Sequence, residues 1–172
     1  MLGAAGALCC LAAGTAIGGW MRERRLARLR MLRAEVDALS CMRMLLEQER
    51  PPLPELLRAC ASGLSSEQVA QRLLIAAERL AVDPFIGMTG AYASACAAVA
   101  MPWEQLEERS AMETLFRQLG SGTAAMREQA AAACLRRLKP LAERAEEEAE
   151  KAGRLCMQLG MLLGLMAGIA LW

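Results

Sequence analysis

No histidine occurs anywhere in the 172 residues, and aspartate appears only as Asp37 and Asp83. Without an imidazole, a serine or cysteine nucleophile lacks its usual base, and a zinc site lacks its commonest nitrogen ligand. The seven cysteines, at positions 9, 10, 41, 60, 96, 134 and 156, form no CxxC pair, which removes the usual metal and redox spacings. No Gly-rich phosphate loop is present. Glutamates such as Glu107 and Glu108 adjoin in sequence, so on a helix they point to different sides and make no acid/base dyad. These absences predict a non-enzymatic protein with no cofactor, no metal and no small-molecule substrate. Aromatics are 3% of residues, which leaves little to build strands from, whereas alanine, leucine, glutamate and arginine dominate and favour helix. The expected fold class is all-α.

Charge, too, is missing from both ends. The 20 basic and 19 acidic side chains all lie between Arg22 and Arg154, and the runs 2–21 and 155–172 carry none. Each run approaches the ~20 residues, at ~1.5 Å rise, that a helix needs to cross a ~30 Å hydrocarbon layer. The expected division is a transmembrane helix over 1–21, a cytoplasmic helical bundle of about five or six helices over 22–154, and a second transmembrane helix over 155–172. Arg22, Arg24, Arg25, Arg28, Arg30 and Arg33 directly follow the first run, and basic residues beside a span are retained in the cytoplasm. A cleaved signal peptide would need its positive charge ahead of the apolar stretch, the reverse of the order here. Between the spans about 130 residues remain, enough for one compact domain.

Small residues recur every fourth position in both runs. Gly6, Cys10, Gly14 and Gly18 form one ladder, and Cys156, Gly160, Gly164 and Gly168 the other. In lipid, where hydrophobicity drives no helix association, such grooves let backbones approach closely. The ladders predict packing of the spans on each other or on partner subunits. Gln158 is the one strongly polar side chain in either run, so no ion path is indicated.

Between the runs, helix signals follow one another. Leu29, Leu32, Val36, Leu39 and Leu46 extend the first helix into the polar region with a three-four spacing broken by Arg43, and Pro51, Pro52 and Pro54 stop it. A short helix is predicted over 55–61, and Ser65 with Gln68 has capping-box spacing at the start of the next, which runs to about Ala81. Asp83 and Pro84 end it, a buried helix follows over 88–100, and an amphipathic one runs from Trp103 to Leu119, ended by Gly120 and Gly122. From Thr123 no strong stop intervenes before the second run. Leu135, Leu138, Ala142, Ala145, Ala149, Ala152 and Cys156 make a seam along this last helix, and Pro140 is expected to kink it. Cys60, Cys96 and Cys134 sit among alanines and leucines and read as small apolar groups.

If both spans enter from one membrane face, the helix leaving the first and the helix entering the second are antiparallel neighbours. Equal distances from the membrane then pair Arg25 with Lys151 or Glu150, Arg28 with Glu147 or Glu148, and Arg33 with Glu143. The competing use of the arginines is anionic lipid headgroups. Nucleic acid is disfavoured, because no aromatic residues interleave with the basic run.

The carboxyl-terminal third, with LGSGTAAMREQ from Leu119, the Glu-rich helix through Lys151 and QLGMLLGLMAG from Gln158, resembles stage III sporulation protein AB. The layout is similar as well: an amino-terminal span, a basic stretch (LARLRMLRAE from Leu26), a Pro-Leu step at Pro52 and Leu53, and a closing span. The resemblance implies a small membrane subunit of the secretion-like sporulation complex connecting mother cell and forespore. It would lie on the mother-cell side of the engulfed forespore, with a cytosolic bundle similar to the platform-protein domains of type II secretion and type IV pilus systems. It also implies partners: other membrane subunits and a cytoplasmic motor ATPase. A different class, a membrane-tethered helical regulatory or signalling adaptor, is the alternative that the residues allow.

Overall fold

In the computed structural model the backbone is described for residues 2–170 and the side chains for residues 19, 20 and 22–151. Six α-helices follow in order: α1 (Leu2–Gln48), α2 (Leu53–Ala61), α3 (Glu67–Val82), α4 (Gly87–Ala98), α5 (Leu106–Gly120) and α6 (Ala124–Ala170). A single 3-10 turn, Pro84–Ile86, joins α3 to α4, and there is no strand among the described residues. The chain forms two compact units, one of Arg30–Glu143 and one of Met1–Leu29 with Arg144–Trp172. No helix is long and apolar enough to cross a membrane among the described residues. Apart from Gly19 and Trp20, the two uncharged runs expected to do so, with the ladders Gly6, Gly14, Gly18 and Gly160, Gly164, Gly168, lie outside the described side chains.

Local chemistry explains most helix ends and corrects several expected ones. At the end of α1, both Glu49 and Arg50 donate backbone N–H bonds to the Leu45 carbonyl at 2.9 Å, and Arg50 takes a left-handed φ of 49° before Pro51. The next helix begins at Leu53, not Glu55. Pro54 fits in its first turn because the N–H that proline lacks has no intrahelical partner there. The expected Ser65–Gln68 capping box is not formed. Ser66 is the N-cap of α3, with no side-chain cap bond. The reciprocal box occurs instead at α5, where Gln105 N donates to Glu108 Oε2 at 2.8 Å, and the helix accordingly begins at Leu106 and not at Trp103. Past α3, the Asp83 carboxylate accepts from Phe85 N at 3.0 Å and sets the 3-10 turn. Pro140 lies inside α6 without ending it.

The Arg30–Glu143 unit is built on α3, which packs against both α2 and α4, while α4 also packs on α5. α2 buries Leu56, Leu57 and Cys60, and α3 buries Val69, Leu73, Ala76 and Ala77. α4 contributes mainly alanine, so its neighbours come close, and its one large ring, Tyr92, stacks on Phe116 of α5 with centroids 4.0 Å apart. Gly120 favours the same close approach, since a β-carbon there would lie 3.2 Å from Met88 Cβ, a tight contact. The cysteines of this core behave as small apolar groups: Cys60 and Cys134 are buried, and Cys134 Sγ donates weakly to the Ala111 carbonyl at 3.6 Å.

Both long helices bury a face shifted from the expected one. In α1 the buried positions include Leu29, Leu32, Glu35, Leu39, Met42 and Leu46. Val36 is only half-buried, and Arg43 does not interrupt the seam because Met42 occupies it. In α6 the buried positions are Ala130, Ala131, Cys134, Leu138, Leu141, Ala145 and Ala149, with Leu135 and Ala142 flanking as half-buried neighbours. A three-four repeat can be read one step to either side where alanines surround it, and packing selects the side.

Candidate functional site

Two polar arrangements stand out, one on the surface and one buried. The first lies in the unit of Met1–Leu29 with Arg144–Trp172. There Arg25 Nη1 donates to the Glu148 backbone carbonyl at 3.2 Å, and Arg28 Nη1 meets Glu148 Oε2 at 3.4 Å. Four residues ahead of Arg28, the Arg24 guanidinium stands 5.8 Å from the centroid of the Trp20 ring. Glu147 takes a different partner, Lys151 one turn along its own helix, at 3.2 Å. So α1 and α6 do meet through basic and acidic side chains, but Glu148 is the acceptor. Glu150 is exposed, as are Arg33 and Glu143, which belong to the other unit. Glu148 is more than half exposed, so the ion pair contributes at most about 1 kcal/mol and chiefly sets register.

The buried arrangement lies wholly within Arg30–Glu143. Arg72 of α3 donates through Nε to the Val99 carbonyl at 3.0 Å, and through Nη1 and Nη2 to the two oxygens of Glu104, each at 2.9 Å. Both side chains of this fork are 5% exposed. Guanidinium and carboxylate are complementary planar groups, and two parallel bonds fix their relative orientation. Glu35 of α1 and Glu108 of α5 are buried at 1% and 0% exposure. Glu35 Oε2 has no hydrogen-bond partner. Burial pushes the Glu35 carboxyl up to about 8, the nearby Glu104 and Glu108 carboxyls push the same way, and Arg72 only partly opposes them. Near neutral pH, Glu35 is therefore held mostly as the uncharged acid.

This cluster is absent from the expected site residues, although a signal for it exists in the sequence. Glu35 lies three and four positions from Leu32, Leu39 and Met31, and Arg72 lies three and four from Val69 and Ala76. Charged residues on the apolar face of a helix are buried ones, and buried ones need partners. No group of three or more acidic or cysteine side chains able to hold a metal ion occurs among the described residues.

One family model matches nearly the whole chain. That model, described as stage III sporulation protein AB, matches residues 3–172. The chain belongs to the stage III sporulation protein AB family. It is accordingly a sporulation-related protein. Neither the curated proteins nor the solved structures contain a match to it. For this member of the AB family, six helices and no strand among the described residues make the fold all-α.

Two measurements follow. Because the folded-state value of Glu35 is raised, the unfolded chain ionises first, so the contribution of Glu35 to stability is fully present below about 4.5 and is lost as pH rises to about 8. Within that window the decline approaches about 1.4 kcal/mol per pH unit. Glu35→Gln is expected to flatten it and to raise the denaturation midpoint of the purified chain at pH 8, as read by circular dichroism. For the surface pair, Arg28→Glu and Glu148→Arg are expected to couple by about 0.5 kcal/mol in a double-mutant cycle at low ionic strength. Arg28→Glu with Glu147→Arg is expected to be additive.

Proposed function

We propose that this chain is a non-enzymatic platform subunit of a membrane complex made during sporulation, anchored by spans at 1–21 and 155–172 with the intervening domain in the cytoplasm. The observation that carries this reading is the charge distribution: 39 ionisable acidic and basic residues between Arg22 and Arg154, none outside, and six arginines directly after the first run. Trp20 under Arg24 at that boundary suits a headgroup layer, where aromatic and basic side chains both gather. In this reading the ladders of Gly6, Gly14 and Gly18 and of Gly160, Gly164 and Gly168 pack against each other or against membrane partners. The cytoplasmic domain docks a motor ATPase of a secretion-like complex between mother cell and forespore.

Topology and assembly test the two halves of the proposal. Ser121, exposed on the turn between α5 and α6, is a suitable reporter. In Ser121→Cys, the new thiol is expected to resist an impermeant maleimide in intact cells and to react after permeabilisation; labelling of intact cells places the domain outside. Gly164→Leu retains hydrophobicity but fills the groove, so insertion is expected to survive while co-purification of membrane partners falls. Unchanged co-purification with normal insertion reduces the ladder to composition.

A further inference from the structure

The Arg30–Glu143 unit carries a surface that its own packing leaves unused. A groove of about 610 Å³ lies between the end of α5 and the first turns of α6, bordered by Gln118, Ser121, Gly122, Met126, Ala133 and Arg136. Its floor is alanine and glycine, and its rim bears one thioether, two amides and a guanidinium. The Arg127 Nε, one residue from Met126, is buried without a hydrogen-bond partner. Between Arg117 and Lys139 the chain carries Arg117, Arg127, Arg136, Arg137 and Lys139 against the single acid Glu128. None of these six forms an ion pair among the described residues.

Apolar side chains stand at the same end of the unit. Met126 is 58% exposed, Val82 80% and Phe85 99%. Phe85 and Val82 flank the turn that leads into Met88, and Met88 packs against Gly120, two residues before Gly122. The turn between α3 and α4 and the turn between α5 and α6 therefore adjoin. A phenylalanine held in full contact with water, at the same end of the unit as an exposed valine and a partly exposed methionine, makes an apolar feature that the unit's own packing leaves uncovered. Phe, Met and Arg are also the residue types enriched at protein interfaces.

We propose that this end of the unit docks a partner protein through a segment combining apolar and acidic side chains. The apolar groups cover Phe85, Val82 and Met126, and a carboxylate enters the groove to meet Arg136. Charge complementarity selects the occupant: the one charged side chain lining the groove is Arg136, within a stretch of chain that carries five cations and one acid, and this repels a basic segment and attracts an acidic one, in rate as well as affinity. A lipid surface would satisfy the cations, but an anionic headgroup layer has no use for an alanine-floored groove. The inference rests on the platform reading and assigns it a docking face.

The test uses the full chain in sporulating cells of its host, with p-benzoylphenylalanine incorporated at Met126 and the photoproduct mapped by mass spectrometry. The expected product joins residue 126 to a partner segment in which Asp or Glu adjoins apolar residues. Its yield is expected to fall about tenfold in Arg136→Glu and in Phe85→Ala. Phe85 is fully exposed, so its removal leaves the fold intact, which an unchanged melting temperature checks. A product with lipid, a product with a second copy of this chain, a partner segment lacking acids, a yield indifferent to both substitutions, or no product overturns the proposal. Co-purification of membrane partners, measured on the same cells, separates the two readings. Partners retained without the cross-link remove the docking face alone, and partners absent altogether remove the platform as well.

Discussion

A guanidinium buried in an all-helical core cannot be left to itself, because the loss of water around a fixed charge costs several kcal/mol unless its donors are met. Arg72 meets that cost by binding the Val99 carbonyl at the end of α4 and both oxygens of Glu104 ahead of α5. It thus holds the irregular stretch between those helices onto α3, where helical hydrogen bonds cannot. The same stretch starts α5 through the Gln105–Glu108 box, so one residue after the fork the backbone is already committed to its next helix. Glu35 completes the cluster from α1 as a carboxyl that stays protonated near neutrality. Replacing one member disturbs the others, because three carboxyls share one cation.

Around this fixed point the unit mixes small and large residues. Alanine predominates on α4 and on the buried face of α6 and allows close helix approach. Leucines and methionines of α1, α2, α3 and α5, with Tyr92 stacked on Phe116, fill what alanine cannot. Surface charge acts in another way. The Arg28–Glu148 pair is exposed to water and screened by salt, and it discriminates between registers while adding little stability.

Much of this was legible in the residues. The order and number of helices follow from proline, glycine and three-four periodicity, and the meeting of α1 with α6 follows from arginines on one and glutamates on the other. The acceptor was not legible to one residue, since Glu147 and Glu148 differ by about 100° around the helix and an exposed run of four glutamates contains no mark to separate them. Helix starts were blurred for a related reason. Ser65 and Ser66 are equivalent by type, and only the geometry of the preceding turn chooses Ser66. Pro54 looks like a breaker because a proline in a first turn and a proline that stops a helix are alike until the N-terminus is known.

What the sequence determined by itself is set by properties that no fold can alter: the confinement of every charge to 22–154, the absence of histidine, and a composition that favours helix throughout. These decide the helical class and bound the chemistry. Tertiary structure alone decided which face of each helix is inside. In α1 the choice between Val36 and Glu35 went against hydrophobicity, because Glu35 as a neutral acid tolerates burial beside Arg72, Glu104 and Glu108. In α6 the choice between Leu135 and Cys134 went to the smaller group, which fits against the α5 backbone at Ala111. Both choices depend on neighbours distant in the chain, and their energies exist only once those neighbours are assembled.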